Sequence, residues 1–372
     1  MYFQHNPYDD VWGAMHWGHA TSEDLLVWEE HDIAIYPDSL GTIFSGNAVV
    51  DLNNTSGFGQ NIPPIVAMYT NHHHEGAEAG RIDYQTQKSI AYSLDQGFTF
   101  TKYENNPAIP NPGIQDFRDP KVTWFGVQNK WVMSLVVGQV IYFYTSSDLK
   151  SWQYLSSFGQ GIGNHNGVWE CPDLIQLPVD GTNQSKWVLL VSINLGGLNG
   201  GSATQYFVGN ADDSEFTVDS IFSVKMGKYH DFWIDYGKDN YAGETYSNIE
   251  TQNGRKILQG WISNWQYANM VPTTTWRSAM TRSREISLKI VNGVHRIVSQ
   301  FISSIKQYSQ PILYIPKSKS PVQFPRTEHP MYSTAEVKFN ALANSDFKST
   351  FSNALGDTLV FGYDHEINSF YN

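Results

Sequence analysis

A short corner motif recurs along this chain, and it restricts the fold more than any other feature. Ser22-x-Asp24-Leu25-x-x-Trp28 returns as Ser146-x-Asp148-Leu149-x-x-Trp152. Fainter copies are Ser93-x-Asp95 leading to Phe100, and Asp212 leading to Phe216. The four aspartates stand 71, 53 and 64 residues apart, close to one four-stranded sheet each. Strand–turn–strand corners at that spacing point to a β-propeller. Four corners in about 300 residues are compatible with four to six blades, and five is the expectation. A plain sandwich is the alternative, although two-sheet sandwiches seldom need so many residues.

The text between the corners reads as strand. Ile33–Tyr36, Ala48–Val50, Ile65–Tyr69, Trp131–Val136, Ile141–Tyr144 and Trp187–Ser192 are short apolar or alternating runs, punctuated by Gly, Asn, Asp and Pro. No stretch sustains a helical apolar period over four turns, so residues 1–300 are expected to form an all-β domain. From Phe301 the texture changes. Pro311, Pro316, Pro321, Pro325 and Pro330 interrupt a Lys/Ser-rich segment, so 301–330 reads as a linker. Ala335–Phe339 and Thr358–Gly362 then alternate like sandwich strands. Residues 331–372 are expected to be the beginning of a β-sandwich, too few strands to bury a face unaided.

Charge and composition narrow the partners. The formal net charge is −12 with 12 Trp, 21 Tyr and 20 Phe in 372 residues. No basic patch or stripe is visible, which argues against nucleic acid and anionic membranes. No apolar run approaches the roughly 20 residues of a membrane span. The aromatic load suits either a rich β-core or the stacking of rings on sugar faces. Cys171 is the single cysteine, so no internal disulfide is possible and no compartment is indicated. Met1 runs straight into strand-like sequence, and no signal peptide is expected in these residues.

Two acidic residues have distinctive neighbours. In Gln115-Asp-Phe-Arg-Asp-Pro-Lys121, Arg118 adjoins Asp119, and a guanidinium close by favours an ionised carboxylate. In Trp169-Glu-Cys-Pro-Asp173, Glu170 lies among Trp, Cys and Pro, an apolar setting that would keep a carboxyl protonated. One charged and one neutral carboxyl is what acid-assisted cleavage of a glycosidic bond needs. Two unrelated carboxylates would read the same way on residue types alone.

Other candidates fare less well. His72-His73-His74 would point to alternate faces of an extended segment, so a polar rim loop is expected there and no metal site. Gly196-Gly197-Leu198-Asn199-Gly200-Gly201 lacks the Lys-Ser/Thr of a phosphate loop and reads as a flexible turn between strands. Asn53, Asn54 and Asn183 begin triplets of the N-glycan acceptor pattern, which also arise by chance. His16 and His19 read as structural hydrogen-bonders, and Cys171 as a small buried hydrophobe. Taken singly, Trp12 and Trp261 would be core residues.

With these residues in view, the chain resembles glycoside hydrolase family 32, the invertases, inulinases and levanases that cut β-fructofuranosides. The blocks that carry the resemblance are Tyr2-Phe-Gln-His-Asn-Pro7, Trp12-Gly-Ala-Met-His-Trp-Gly-His-Ala20, Phe44-Ser-Gly46, Phe117-Arg-Asp-Pro120, Glu170-Cys-Pro172, Asp239-Asn-Tyr-Ala242 and Trp261-Ile-Ser-Asn-Trp265, in the family's order. The resemblance implies a five-bladed propeller followed by a β-sandwich. It also implies retaining hydrolysis of terminal β-D-fructofuranosyl bonds of levan, inulin or sucrose, with no metal or organic cofactor. Glu170 would be the acid/base, Asp119 the group that steadies the oxocarbenium charge, and Arg118 a ligand of sugar hydroxyls. Gln4, Trp12, Phe44, Ser45, Tyr241 and Trp261 match positions lining the fructose pocket. Asp239 matches an acidic position near the acid/base.

The chain departs from the family at its front. The nucleophilic aspartate belongs to a Trp-Met-Asn-Asp-Pro-Asn-Gly block that precedes the Tyr-Phe-Gln strand, and Met1 comes after it. The expectation is therefore a chain truncated at both ends and inactive alone; Asp9, Asp10 and Asp24 sit in polar turns unsuited to replace the nucleophile. A non-catalytic fructoside-binding propeller is the alternative. Asn47, where Ser is usual, and Arg282-Ser283, where Leu-Pro is frequent, are smaller departures. For the full-length family an extracellular location would be expected. Oligomeric state and the choice among sucrose, inulin and levan are not readable from the residues.

Overall fold

The protein is seen as a computed structural model that describes residues 1–81, 87–212, 214–229, 232–249, 251, 253–308 and 345–371. Two compact units divide it, Met1–Ser309 and Gln310–Asn372. Most of the expected linker and the strand expected at 335–339 lie outside the described residues.

Among the described residues the first unit holds five antiparallel sheets in chain order. The first has three strands, β1 (Tyr2–His5), β2 (His16–Thr21) and β3 (Glu29–Ile35). The second runs β4 (Thr42–Val50), β5 (Ile65–His72), β6 (Gln87–Ser93) and β7 (Thr101–Lys102). The third comprises β8 (Phe117–Phe125), β9 (Lys130–Val137), β10 (Val140–Ser146) and β11 (Gln153–Phe158). In the fourth are β12 (Val168–Pro178), β13 (Ser185–Asn194), β14 (Ala203–Ala211) and β15 (Phe216–Val218). The fifth contains β16 (Tyr241–Thr245), β17 (Lys256–Trp261), β18 (Arg284–Val291) and β19 (Val294–Phe301). Each sheet is an up-and-down meander, and β4, β8, β12 and β16 lie against one another in succession. This is the five-bladed propeller that the corner spacing predicts, with the first strand of blades two to five innermost. In the second unit β20 (Phe347–Ser352), β21 (Thr358–Asp364) and β22 (Ser369–Tyr371) form a separate antiparallel sheet.

The corners are built from the residues that announced them. Asp24 Oδ1 accepts from the amides of Leu26 and Val27, and Asp148 Oδ1 from those of Lys150 and Ser151. Ser22, Ser93 and Ser146 each donate a hydroxyl to the aspartate two residues on. The residue after each of these aspartates, Leu25, Gln96 or Leu149, has φ near +60°. One left-handed residue, pinned by the side-chain bonds before it, turns the chain onto the outer strand. The fifth blade uses another device: Asn292 and Gly293, both at positive φ, close a two-residue hairpin between β18 and β19.

Apolar cores fill the spaces between blades. Tyr69, Ile43, Ala67 and Trp17 pack between the first two, and Met68, Ile90, Met133 and Trp131 between the second and third. The largest cluster joins blades three to five through Trp169, Leu189, Phe207, Ile286 and Leu288. The last blade is tied to the first by polar contacts. Arg277 pairs with Asp10 at 3.2 Å, while Ser304 and Tyr308 donate to the Asp24 backbone carbonyl and carboxylate at 2.8 and 2.6 Å.

A bulge recurs at the same level of the inner strands, and it places the site. Between Arg118 and Lys121 three residue steps on β8 face two on β9. The same count holds between Glu170 and Asp173, between Tyr241 and Glu244, and between Ile43 and Gly46. Asp119, Cys171 and Ala242 occupy the bulges at φ 59°, 46° and 50°. In a regular strand, residues three apart point to opposite faces. One inserted residue puts them on the same face. Each of β8, β12 and β16 therefore presents two functional side chains on one face.

Candidate active site

The upper layer of that face is Arg118, Glu170 and Tyr241. Arg118 Nη2 donates to Glu170 Oε1 at 3.1 Å, and Tyr241 donates its hydroxyl to Glu170 Oε2. The guanidinium also pairs with Asp116 and lies 3.9 Å from Asp119 Oδ2. The arginine thus serves three carboxylates, where its position in sequence suggested one. Asp119 is buried and is held from two further directions. Its Oδ2 accepts the amide of Cys171 at 3.0 Å, and its own amide donates to Thr70 Oγ1 at 3.1 Å.

Burial pushes the Glu170 carboxyl above its ordinary range, with the Asp119 charge acting the same way; Arg118 and the Tyr241 bond oppose it. Both the direction and its first cause, burial, are those of the sequence reading, although Trp169 is not where that reading placed it. Trp169 turns into the core of blade four, stacked on His165 at 5.0 Å, and contributes no ring to the carboxyl's polar contacts. Tyr241 is held well above its usual range by burial and the Glu170 charge, so its hydroxyl stays a donor.

Of the other residues matched to the fructose pocket, Gln4, Trp12, Phe44 and Ser45 belong to blades one and two, and Asp239 and Trp261 to blade five and its approach. Gln4 is exposed and donates to the Ile43 carbonyl at 3.0 Å. Phe44 and Ser45 sit in the β4 bulge. Trp12, 49% exposed, meets Phe44 edge-on at 5.7 Å, which removes it from the core. Trp261 is half-buried, paired with Tyr241 across β16 and β17. Asp239 is exposed, and its carboxylate accepts from Tyr267. His72 stacks on Phe44 at 4.4 Å, His74 contacts Trp12 edge-on at 5.4 Å, and His73 between them caps the short helix His74–Glu78. The segment expected to be a polar rim loop is instead the end of β5 and the start of this helix, with the His72 and His74 rings 4.6 Å apart.

His16 Nδ1 bonds the Ala14 carbonyl at 2.7 Å, and both His16 and His19 are buried. Burial lowers His19 to about 4, so it stays neutral. The thiol of Cys171 is buried and pushed well above its usual range by that burial. Among the described residues no cluster of three or more His, Cys, Asp or Glu is arranged to hold a metal ion.

The lower layer was not read from the sequence. Lys121 donates to Glu244 Oε2 at 3.1 Å and to the Thr245 carbonyl at 2.7 Å, and lies 3.6 Å from Asp173 Oδ2. Asp173 is fully buried and accepts from the amide and hydroxyl of Thr245. Burial opposes the charge of Lys121, but Asp173 and Glu244 outweigh it and leave the amine raised. Burial lifts Glu244 to about 7, against the pull of Lys121. Lys88, also unread, is fully buried on β6, its amine over the Phe117 ring at 4.6 Å; burial pushes it well below its ordinary value. The legible signal was the repeated offset: a charged residue follows Arg118, Glu170 and Tyr241 by three in each case.

Residues 1–300 match the model of the glycosyl hydrolases family 32 N-terminal domain. A levanase of Bacillus subtilis is 50% identical over 308 residues, covering 82% of this chain and 43% of the relative. An extracellular exo-inulinase of Aspergillus ficuum is 42% identical, covering 81% and 59%. The chain thus spans about half the length of these relatives. Among solved structures, an exo-inulinase from Aspergillus awamori superposes with a TM-score of 0.72 at 39% identity, covering 80% of this chain and 61% of that one. A fructofuranosidase from Schwanniomyces occidentalis complexed with fructose gives 0.75 at 32% identity, covering 99% and 73%.

Proposed function

The chain belongs to glycosyl hydrolase family 32, and we propose that it carries most of a site for retaining hydrolysis of terminal β-D-fructofuranosyl bonds in levan, inulin or sucrose. The observation that carries this reading is the convergence of Arg118, Asp119, Glu170 and Tyr241 from three adjacent inner strands, with burial pushing the Glu170 carboxyl upward. Glu170 donates its proton to the glycosidic oxygen as the bond to the anomeric carbon breaks, and later takes a proton from the attacking water. Asp119, fixed by the Cys171 amide, places negative charge where the oxocarbenium ion develops. Arg118 holds both carboxylates and offers donors to sugar hydroxyls, while Gln4, Trp12, Phe44, Ser45, Asp239 and Trp261 shape the fructosyl pocket. Residues 1–300 are the catalytic propeller in this reading, 301–330 a linker and 331–372 part of a sandwich. The names of the exo-inulinase relatives support an extracellular setting.

A double displacement needs a second carboxylate roughly 5–5.5 Å from the acid/base. Asp116 and Asp119 are engaged by Arg118, Asp10 by Arg277, and Asp24 by Tyr308. These 372 residues are therefore proposed to bind fructosides without cleaving them. The test is to incubate the purified chain with sucrose, inulin and levan beside a Glu170→Gln control, and to titrate fructose by calorimetry. Fructose should bind and no release should exceed the control. Release above the control would show that another carboxylate attacks; absence of fructose binding would sink the fructoside reading.

A further inference from the structure

Arg118 meets three carboxylates with three different nitrogens of one planar group. Nη1 pairs with Asp116, Nη2 donates to Glu170 at 3.1 Å, and Nε stands 3.9 Å from Asp119 Oδ2. Glu170 and Asp119 have roles in the fructoside reading; Asp116 has none. A guanidinium is rigid, so a partner that fixes one edge sets the direction of the other two.

The local structure holds Asp116 firmly enough to be that partner. Its backbone is left-handed at φ 55°, a conformation that aspartate tolerates better than most residues. The chain is pinned at this residue and at the next. The Asp116 carbonyl accepts the Gly138 amide at 3.2 Å. Phe117 is fully buried, with the Lys88 amine over its ring and donating to its carbonyl. The Gly138 carbonyl in turn accepts the Trp169 amide at 3.2 Å. Beside it, Gln139 Nε2 donates to the carbonyls of His165 and Gly167 at 2.8 and 2.7 Å. The β9–β10 turn thus ties the residue two before Arg118 to the residue just before Glu170. Asp116 hangs from the same brace that spaces the two strands on which Arg118 and Glu170 stand.

Charge gives the pairing a second consequence. An arginine free to turn both Nη groups to Glu170 would form a bidentate pair, the arrangement that holds a carboxylate most strongly. Asp116 occupies Nη1 and brings a negative charge to it, and both effects weaken the pull of the arginine on the acid.

We propose that Asp116 is a positioning residue of this site, holding Arg118 so that it spans Glu170 and Asp119 and is kept from a bidentate grip on the acid. This rests on the fructoside reading, in which Glu170 must keep a proton to give.

The experiment uses the 372-residue chain with carbon-13 at its glutamate carboxyls, the Glu170 signal being the one lost in Glu170→Gln. Asp116→Asn keeps an oxygen acceptor and suits the left-handed backbone but removes the charge; Asp116→Ala removes acceptor and charge together. Circular dichroism and melting temperature report their folding. In Asp116→Asn the Glu170 titration should move down by about one pH unit, a shift that a merely structural role would not produce. In calorimetric titrations Asp116→Ala should weaken fructose about tenfold, as a misdirected arginine loses one charge-assisted hydrogen bond, and Asp116→Asn should recover most of that loss. A Glu170 titration unchanged or raised in Asp116→Asn would overturn the proposal, and so would a fructose affinity within twofold of the parent in Asp116→Ala. If the parent binds fructose and Glu170 does not move, the positioning role is refuted while the fructosyl site stands. If the parent binds no fructose, the fructoside reading fails, and a downward Glu170 shift would still establish Asp116 as the partner that directs the arginine.

Discussion

Two layers of polar side chains occupy the same face of β8, β12 and β16, and they differ in what surrounds them. Arg118, Glu170 and Tyr241 stand above the bulges; Lys121, Asp173 and Glu244 stand below. Their chemistry is alike, a cation bridging acidic groups from neighbouring blades. In the lower layer Lys121 and Asp173 are buried and Glu244 is partly exposed, and the bonds of the buried pair run to the backbone of β16 as well as to one another. The upper layer ends in Glu170, whose two oxygens accept from the side chains of Arg118 and Tyr241. Bonds to the backbone make the lower layer a clamp between blades, whereas the upper carboxyl is met by side chains. What the carboxyls bond to, and not residue type, separates the two layers.

The contrast is broken or sharpened by substitutions in each layer. The largest effect is expected at Glu170 in a chain joined to an upstream segment carrying the family's nucleophilic block. There Glu170→Gln should slow turnover by about 10²–10⁴-fold with little change in stability. Steady-state kinetics and melting curves on one preparation decide it, and a loss below tenfold removes Glu170 from the role.

Lys121→Met should do the opposite. It strands Asp173 without its cation, a change that costs about 3–5 kcal/mol, to be read from urea unfolding. Fructose affinity of the folded fraction should stay within a few-fold. If affinity collapses while stability holds, the lower layer belongs to the site.

Glu244 supplies a pH signature. Its carboxyl is raised from 4.5 to about 7, so between these values the folded chain keeps a proton that the unfolded chain has released. Stability from this group is full below about pH 4.5 and is lost as pH rises through about 7. Melting temperatures across that window should fall less steeply in Glu244→Gln than in the parent chain. Parallel curves would assign the pH dependence elsewhere.

The smallest effect concerns Tyr241. Its bond holds Glu170 down, so Tyr241→Phe should raise the Glu170 titration further. Carbon-detected NMR of the carboxyl would register the shift, and a downward shift would show that the bond is not formed in solution.

The seven sequence blocks named the upper layer because each is local. Asp119 adjoins Arg118, and Glu170 precedes Cys-Pro, whatever the rest of the chain does. The lower layer stood in the same stretches, with Lys121 and Asp173 three residues beyond Arg118 and Glu170, yet it went unread. A regular strand sends such residues to opposite faces. Only the bulges, each with a residue at positive φ, turn them to one side.

What the sequence by itself determined is the kind of blade, with their number bounded at four to six and five expected. A turn is specified by the few residues inside it, so Ser22-x-Asp24 and its copies carry their geometry with them. The residues available to the site are also written there. What only the tertiary structure decided is which of them meet. Arg118 reaches Glu170 52 positions away, Tyr241 reaches it across 71, and Lys121 joins Glu244 across 123. Those separations close because cores between blades press the inner strands together, and the energy of a buried charge depends on what the fold places beside it.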